Sequence, residues 1–185
     1  MAGVAGDGDG AEEVVKSRLT ADELIRIHDL RPHPEGGYFR ETYRSEESIP
    51  GACLPPRYGG DRHYSTAIHY LLPSGATSRL HRLASDEIWH FYLGGPLTIV
   101  ELRPDRSTEH VILGPDLHNG QRVQHVVKAG TWFGAYPNRG TEYCFVGCTV
   151  APGFSFRDFQ VARRRDLVEQ FSREAKVIAK LTEPD

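Results

Sequence analysis

The stretch GATSRLHRLASDEIWHFYLGG, residues 75–95, decides the fold class of this chain of 185 residues. Side chains of a β-strand point alternately to two faces, and the residues on either side of Ala84–Asp86 fit strands at 77–83 and 87–93. Glycine, histidine and glutamate keep a fixed spacing in the stretch, at Gly75, His81, Glu87 and Gly94. The stretch therefore predicts two strands that bring an imidazole and a carboxylate together.

The faces of these two strands predict a pocket. If the strands form a hairpin, one face carries Arg79, His81, Glu87 and Trp89. A cation, an imidazole, a carboxylate and an indole that converge inside a barrel make a small-molecule site. Two interpretations of Arg79 stay open, a clamp for an anionic substrate and a salt bridge to Glu87. His81 is either a general base, with Glu87 raising its pKa and orienting its ring, or half of a buried structural pair.

The rest of the chain predicts an all-β fold with short helices at both ends. Thr20–Glu23 has the capping-box pattern and begins a helix at about 20–28. An apolar stripe between positions 166 and 181 predicts two short C-terminal helices. Many short strands separated by turn residues favour an antiparallel sandwich or barrel. Alternation predicts the remaining strands near 37–44, 65–72, 97–103, 108–113, 122–128, 131–136 and 142–150, with a short extended piece near 155–160 and a long loop over 45–62 near the barrel mouth.

Composition predicts a single domain at 18–185 behind a disordered tail at 1–17, which is rich in glycine, alanine and acid. The net charge of −3 gives no basis for nucleic-acid binding as the main role. The 3 cysteines form no CxxC pair, which indicates a reduced compartment. No apolar run approaches the length of a membrane span. We therefore expect a cytoplasmic protein without a nucleic-acid or membrane partner.

The glycine, histidine and glutamate positions match the first motif of the cupin superfamily, which the chain resembles. The second cupin motif is echoed only by Lys128-Ala-Gly-Thr-Trp-Phe133. The resemblance implies four metal-ligand positions; His81 and Glu87 occupy two of them, while Leu83 and Phe133 occupy the others. First-row metal sites normally need at least three good protein ligands, so we expect no metal and no cofactor. A weak metal-binding cupin, completed by another histidine such as His69 or His125, is an alternative.

A narrower resemblance spans residues 20–181 and points to a small cupin family catalogued as a domain of unknown function. It implies a double-stranded β-helix (cupin jelly-roll) barrel, a homodimer and a similarity to metal-free dTDP-sugar 3,5-epimerases, but it carries no settled activity. The predicted strand near 37–44 is polar on both faces, so it either lines the pocket mouth or pairs with a partner subunit, and we assign one face to partner pairing. The segments that carry this resemblance are HPEGGYFRETY (33–43), STAIHYLLP (65–73), AGTWF (129–133) and VGCTVAPGF (146–154).

These observations predict a barrel pocket that binds a small anionic or sugar-like ligand. Epimerisation needs a base on one face of a carbon and an acid on the other; His81 supplies the base with Glu87 as its orienter, and Tyr143 or Tyr136 supplies the acid. A non-catalytic ligand-binding or storage-like homodimer is the alternative. The expected ligand contacts are Arg79, His81, Glu87, Trp89 and Phe133.

Overall fold

Two antiparallel β-sheets face each other in the computed structural model, which describes residues 18–184. The disorder predicted for 1–17 lies outside the described residues. The strands are β1 (Arg31–Pro32), β2 (Tyr38–Arg44), β3 (Ser48–Ile49), β4 (Arg62–His63), β5 (Thr66–Pro73), β6 (Ser78–Arg82), β7 (Asp86–Gly94), β8 (Leu97–Leu102), β9 (Thr108–Leu113), β10 (Gln124–Val127), β11 (Trp132–Pro137), β12 (Tyr143–Ala151) and β13 (Gln160–Val161). The α-helices are α1 (Ala21–Ile27), α2 (Arg164–Gln170) and α3 (Ala175–Lys180), and short 3-10 turns lie at Gly51–Cys53, Leu117–Asn119, Phe156–Asp158 and Ser172–Glu174.

The predicted all-β class, with a short N-terminal helix and C-terminal helices, is confirmed. The capping box is present, since the Thr20 hydroxyl accepts from the Glu23 amide at 3.2 Å and the Glu23 carboxylate accepts from the Thr20 amide at 2.8 Å. Alternation and turn chemistry place most strands within two residues of their observed ends. The predicted extended piece near 155–160 is mostly the 3-10 turn Phe156–Asp158, followed by β13.

The pairing of β6 and β7 differs from the expected hairpin. The larger sheet has the order β1-β2-β5-β12-β7-β10, and the smaller has the order β13-β6-β11-β8-β9. The connection at 83–85 thus crosses from one sheet to the other. The predicted hairpin of β6 and β7 is wrong, because the alternation of side chains within a strand does not determine which strand it pairs with. The two strands still present their inner faces to the same interior, but from opposite walls.

Buried side chains pack between the two sheets and on the outer face of each sheet. The main core lies between them and includes Tyr70, Leu83, Trp89 and Phe133. On the outside of the larger sheet, α1 buries Leu24 in a cluster with its strands. The two C-terminal helices cover the outside of the smaller sheet. Within residues 18–184, no helix is both long and apolar enough to span a membrane.

A β-bulge in β6 changes which side chains face inwards. Opposite β11, the pairs are Phe133 with His81 and Ala135 with Ser78, so three steps along β6 match two along β11. An extra residue in one strand breaks strict alternation. Ser78 and His81 consequently both face the interior, and Arg79 does not line it.

A second bulge lies in β2. Glu41 pairs with Ile68 and Tyr43 pairs with Ala67, so the β2 strand holds one more residue, Thr42, than its partner. The bulge brings Arg44 to the same side as Glu41. Both therefore line the interior at the end of the strand.

Candidate functional site

A cavity of about 570 Å³ lies between the two sheets at one end of the barrel. This volume lies in the range of small-molecule sites. Two connecting segments close its mouth, the segment that ends at β4 and the segment that follows β12, as predicted for the long loop near 45–62. The lining comes from the larger sheet (Phe39, Glu41, Arg44, Thr66, Ile68, Tyr70, Glu87, Trp89, Cys148, Val150), from β6 and the residue after it (His81, Leu83), and from the connecting segments (His33, Glu35, Asp61, Arg62, His63, Phe154, Ser155, Phe156, Arg157).

The Glu35 carboxyl is a buried polar group of the cavity wall. The Ser78 hydroxyl donates to its Oε2 at 3.0 Å, and His81 Nδ1 lies 3.2 Å from the same oxygen. Burial raises the pKa of Glu35 well above its usual range, and the charge of Glu87 raises it further. Burial therefore favours the neutral, protonated form of the Glu35 carboxyl.

The His81 ring is held in one tautomer. Its Nδ1 lies 2.7 Å from the backbone carbonyl oxygen of Arg79, and because a carbonyl only accepts, Nδ1 carries the proton. Burial lowers the pKa of His81 to about 3, so Nε2 is unprotonated at neutral pH. We expected Glu87 to orient this ring and raise its pKa. Both expectations are wrong, because Glu35 and the Arg79 carbonyl hold Nδ1 and burial dominates the pKa.

Glu87 supplies the group best matched to proton transfer near neutrality. Its side chain is buried on β7, and desolvation raises its pKa to about 7, with a hydrogen bond from the Cys148 thiol opposing the shift. Burial and the neighbouring Glu87 raise the pKa of Cys148 well above its usual range. Glu87 is thus close to half-protonated at pH 7, while Cys148 stays a thiol.

Among the other predicted ligand contacts, Trp89 lines the cavity and Phe133 lies just behind its wall. The Phe133 ring packs on the His81 ring with centroids 4.1 Å apart. Arg79 lies outside the cavity, where its guanidinium donates to the Pro34 carbonyl and pairs with Glu183. The salt bridge between Arg79 and Glu87 is therefore not formed. The bulge in β6 is the physical reason, because it turns Arg79 away from the interior.

The two tyrosines predicted as acids lie away from the cavity. Tyr143 belongs to the cluster outside the larger sheet, with Leu24 and Phe145. Tyr136 lies on the other side of the barrel, where the Lys180 ammonium sits 3.2 Å from its ring centroid. The tyrosine that lines the cavity is Tyr70. Its hydroxyl donates to the Gly36 carbonyl at 2.7 Å.

The segment before β2 contributes site residues that sequence reasoning did not single out, His33 and Glu35. Gly36 and Gly37 have φ values of 109° and 68°, and a Cβ on Gly36 would lie 2.2 Å from the Thr77 carbonyl oxygen. Only glycine fits such a close approach with positive φ. The glycine pair was therefore the available signal, because it lets the segment fold into the end of the barrel with Glu35 pointing inwards.

Charged groups at the mouth are mostly paired. Arg44 forms a bidentate pair with Glu41, with Nη2 2.6 Å from Oε2. Arg62 donates through Nε to Asp158 at 2.6 Å, and both side chains of this pair are buried. In the part of the chain that the structure describes, the guanidinium of Arg157 has no recorded hydrogen bond or ion pair. The mouth thus offers one unengaged cation.

Two buried polar atoms of the cavity residues lack partners. Within residues 18–184, the buried side-chain nitrogen and oxygen atoms without a hydrogen-bond partner are Nδ1 of His63 and Nε1 of Trp89. An unsatisfied buried polar atom is costly and rare in native structures. Both residues line this cavity. The two nitrogens are therefore available to form hydrogen bonds with a polar ligand.

The donor set does not fit a first-row metal ion. Two of the four cupin ligand positions hold the hydrocarbon side chains of Leu83 and Phe133. Across residues 18–184, no group of three or more histidine, cysteine, aspartate or glutamate side chains is arranged to hold a metal. Of the histidines considered as additional ligands, His125 pairs with Glu101 and His69 packs against the Phe145 ring. The described side chains of the cavity therefore do not form a first-row metal site.

Two antiparallel sheets wrapped around a cavity, with polar groups on the strands at 78–82 and 86–94, define a cupin barrel. The chain belongs to the family described as Cupin superfamily (DUF985), whose model matches residues 22–162. It is 32% identical over 155 residues to the uncharacterized protein YML079W of Saccharomyces cerevisiae, covering 78% of this chain and 76% of that protein.

Solved structures agree with this assignment. Protein SO0799 from Shewanella oneidensis is similar with a TM-score of 0.81 and 35% identity, over 91% of this chain and 100% of that one. A hypothetical protein from Leishmania major is similar with a TM-score of 0.79 and 30% identity, over 89% of this chain and 99% of that one. These similarities identify the family and its fold.

Proposed function

We propose that this cupin-fold protein binds a small anionic or sugar-like molecule in its barrel cavity and transforms it by acid–base chemistry without a metal, in the manner of an epimerase or isomerase. The observation that carries the proposal is that two carboxyls and an imidazole, those of Glu35, Glu87 and His81, are buried on the cavity wall. They come from three separate segments, and two of them lie on opposite sheets. Such an arrangement can address two sides of one bound molecule.

The pKa shifts of these three side chains favour roles that differ from those predicted from the sequence. Glu87, with a pKa near 7, can take or give a proton at neutral pH. His81 presents an unprotonated Nε2, which accepts a hydrogen bond and is a poor base while the ring stays buried. Glu35, whose neutral form is favoured by burial, can donate a proton in a hydrogen bond. Tyr143 has no part in this chemistry, since it lies outside the cavity.

Solvent hydrogen exchange tests the catalytic part of the proposal. A panel of nucleotide-sugars is incubated with the protein in D₂O, and NMR follows deuterium entering carbon positions and the appearance of epimers. We expect the Glu87→Gln variant to lose exchange by about 100-fold or more, which is the usual contribution of a general acid–base group. His81→Asn should lose exchange as well, because it disturbs the hydrogen bonds of Glu35.

A mouth variant, Glu41→Gln, is the matched control, since it removes a carboxylate of the same cavity that is not in the inner group. Unchanged exchange in Glu87→Gln would remove Glu87 from the mechanism. No exchange with any nucleotide-sugar in the wild type would leave the second candidate, a non-catalytic binding module. The specific observation that favours this candidate is that the Tyr70 hydroxyl, the cavity's phenol, is already engaged by the Gly36 carbonyl.

We also propose a homodimer, in which a second copy covers the outer face of the larger sheet. A row of mostly apolar side chains crosses that face, and we call it the apolar row. It runs through paired positions on five strands, namely Tyr43, Ala67, Thr149, Ile88 and Val126. Tyr43 is 54% exposed and Val126 is 36% exposed. Burying this row against its symmetry mate supports the dimer. A cytoplasmic location stays a prediction.

A further inference from the structure

The inner end of the cavity carries two acidic side chains that form no ion pair with a lysine or arginine of the described chain; the charge of Arg79, which lies outside the cavity, only opposes the effect of burial on the pKa of Glu35. Glu35 and Glu87 are 6% and 7% exposed. The imidazoles beside Glu35, His33 at 3.9 Å and His81 at 3.2 Å, are neutral, because burial lowers their pKa values to about 4 and about 3. Within residues 18–184, no lysine or arginine forms a recorded ion pair with either carboxyl. A buried carboxylate is normally matched by a cation.

Aromatic rings surround these carboxyls. Phe39, Tyr70, Trp89 and Phe154 all line the same cavity, and the rings of Tyr70 and Trp89 meet edge to face at 5.9 Å. The face of an aromatic ring attracts an ammonium group, most strongly where water is excluded. Carboxyls and rings together therefore form a surface that suits a protonated amine.

The outer end of the cavity carries the guanidinium of Arg157 among charged side chains that are mostly paired with each other. Arg157 lies on the 3-10 turn at the mouth, and its guanidinium has no recorded partner in the described chain. Gly60 lies beneath it, and a Cβ there would be 3.8 Å from Arg157 Nη1. Phe156, on the same turn, is 63% exposed. Arginine binds carboxylate and phosphate groups through its planar fork of donors, so the mouth suits an anionic group.

We propose that the ligand is zwitterionic, a molecule of the amino-sugar phosphate class whose ammonium group pairs with the Glu87 carboxylate and donates a hydrogen bond to the Glu35 carboxyl, and whose phosphate lies at Arg157. This inference rests on the proposed function, and it specifies which sugar-like and anionic ligands the cavity selects. An anion without an amine would leave the inner carboxyls unmatched. A metal ion would find two hydrocarbon side chains at the positions of its ligands.

Four probes separate the two ends of such a ligand. Glucosamine 6-phosphate carries both groups, glucose 6-phosphate lacks the amine, glucosamine lacks the phosphate, and N-acetylglucosamine 6-phosphate has the amine neutralised. Isothermal titration calorimetry with the full chain at pH 7 should give the tightest binding for glucosamine 6-phosphate. We expect each missing charge to weaken binding by about tenfold or more, since a tenfold change corresponds to a modest charge-assisted hydrogen bond.

Two variants test which residue binds the ammonium group and which residue binds the phosphate group. Glu87→Gln keeps the shape of the cavity and should abolish the preference for glucosamine 6-phosphate over glucose 6-phosphate, while the preference for phosphate remains. Arg157→Gln should do the reverse. Arg173→Gln, on the surface near α3, is a matched arginine control that should change neither preference. Retained preferences in both site variants would refute the residue assignment.

The outcomes also distinguish this inference from the proposed function. Equal binding of glucose 6-phosphate and glucosamine 6-phosphate would overturn the zwitterion and leave a sugar-like anionic ligand standing. No binding of any of the four probes would overturn the amino-sugar phosphate class, while the nucleotide-sugar panel would still report on the proposed function. Saturable binding of Zn²⁺ or Mn²⁺ alone that is lost in Glu87→Gln would show that the missing cation is a metal, which also overturns the inference.

Discussion

At the scale of single residues, the chemistry of the cavity is set by desolvation more than by charge pairs. The same burial that raises the pKa of Glu35 and Glu87 lowers the pKa of His81, because each shift favours the neutral form. The pKa of about 3 favours a neutral His81, whereas Glu87, on the opposite sheet, has a pKa of about 7. The sequence identifies both residues, but it does not predict which of them titrates near neutrality, since burial depth is a tertiary property.

Glu35 gives a pH-dependent prediction for stability. Its folded pKa lies above its unfolded pKa, so the folded state holds a proton that the unfolded state releases, and the fold loses stability as pH rises between the two values. Glu35→Gln removes this linkage. We expect the melting temperature of the variant, relative to the wild type, to be higher at pH 8 than at pH 5.

Differential scanning fluorimetry at both pH values measures this difference, and a change of about 1 kcal/mol corresponds to roughly 2–4 °C in a chain of this size. The exposed variant Glu169→Gln serves as the control and should show no trend. A difference between Glu35→Gln and the wild type that is the same at pH 5 and pH 8 would contradict a carboxyl kept neutral by burial.

At the scale of elements, the two bulges decide which side chains meet in the cavity. Gly134 in β11 lies against the bulge of β6, where a Cβ would be 2.7 Å from the Ser78 carbonyl oxygen and 3.1 Å from the Leu80 amide nitrogen. Both contacts are with backbone, which cannot move aside as a side chain does. The bulge that turns Arg79 outwards therefore requires a glycine on the neighbouring strand.

We expect Gly134→Ala to destabilise the protein by about 1–3 kcal/mol, the usual cost of overpacking a well-packed site. Urea unfolding followed by tryptophan fluorescence measures the loss. Gly59→Ala is the matched control, because a Cβ at Gly59 meets no atom within 4 Å. Equal stability of the two variants would show that the strands can separate at the bulge without cost.

The sequence predicts elements better than it predicts their arrangement. Alternation places β5, β7 and β12 close to their observed ends, because each strand has one face in the core. It also places His81 and Trp89 on inner faces. The β-bulges cannot be predicted from the alternation of polar and apolar residues, since the one extra residue resembles the rest of the strand in sequence. For the same reason the alternation predicted an inward Arg79, and the sheet assignment of β6 and β7 needed the tertiary structure.

In the whole molecule, the helices cover the two outer faces of the barrel to different extents. The helices at the C-terminal end cover the smaller sheet, while much of the larger sheet stays open beyond α1. Exposed apolar patches on a sheet usually mark a contact surface. The apolar row that ends at Tyr43 and Val126 is the part of this face that we assign to a second copy.

Ile88 lies at the centre of the row, between Thr149 and Val126. We expect Ile88→Lys to convert a dimer into a monomer, because it places like charges opposite each other across a two-fold axis. Sedimentation equilibrium at micromolar concentrations measures the mass. Leu117→Lys, which changes an exposed apolar residue elsewhere, is the control and should stay dimeric. A wild type that sediments as a monomer would contradict the homodimer.

The buried pair of Arg62 and Asp158 has a kinetic consequence. It joins β4 to the 3-10 turn Phe156–Asp158, so two segments at the rim of the cavity are held together. We expect this cross-link to hold the opening of the cavity against widening. A slender sugar and a bulky nucleotide should then differ in association rate even where they share the same anchoring groups.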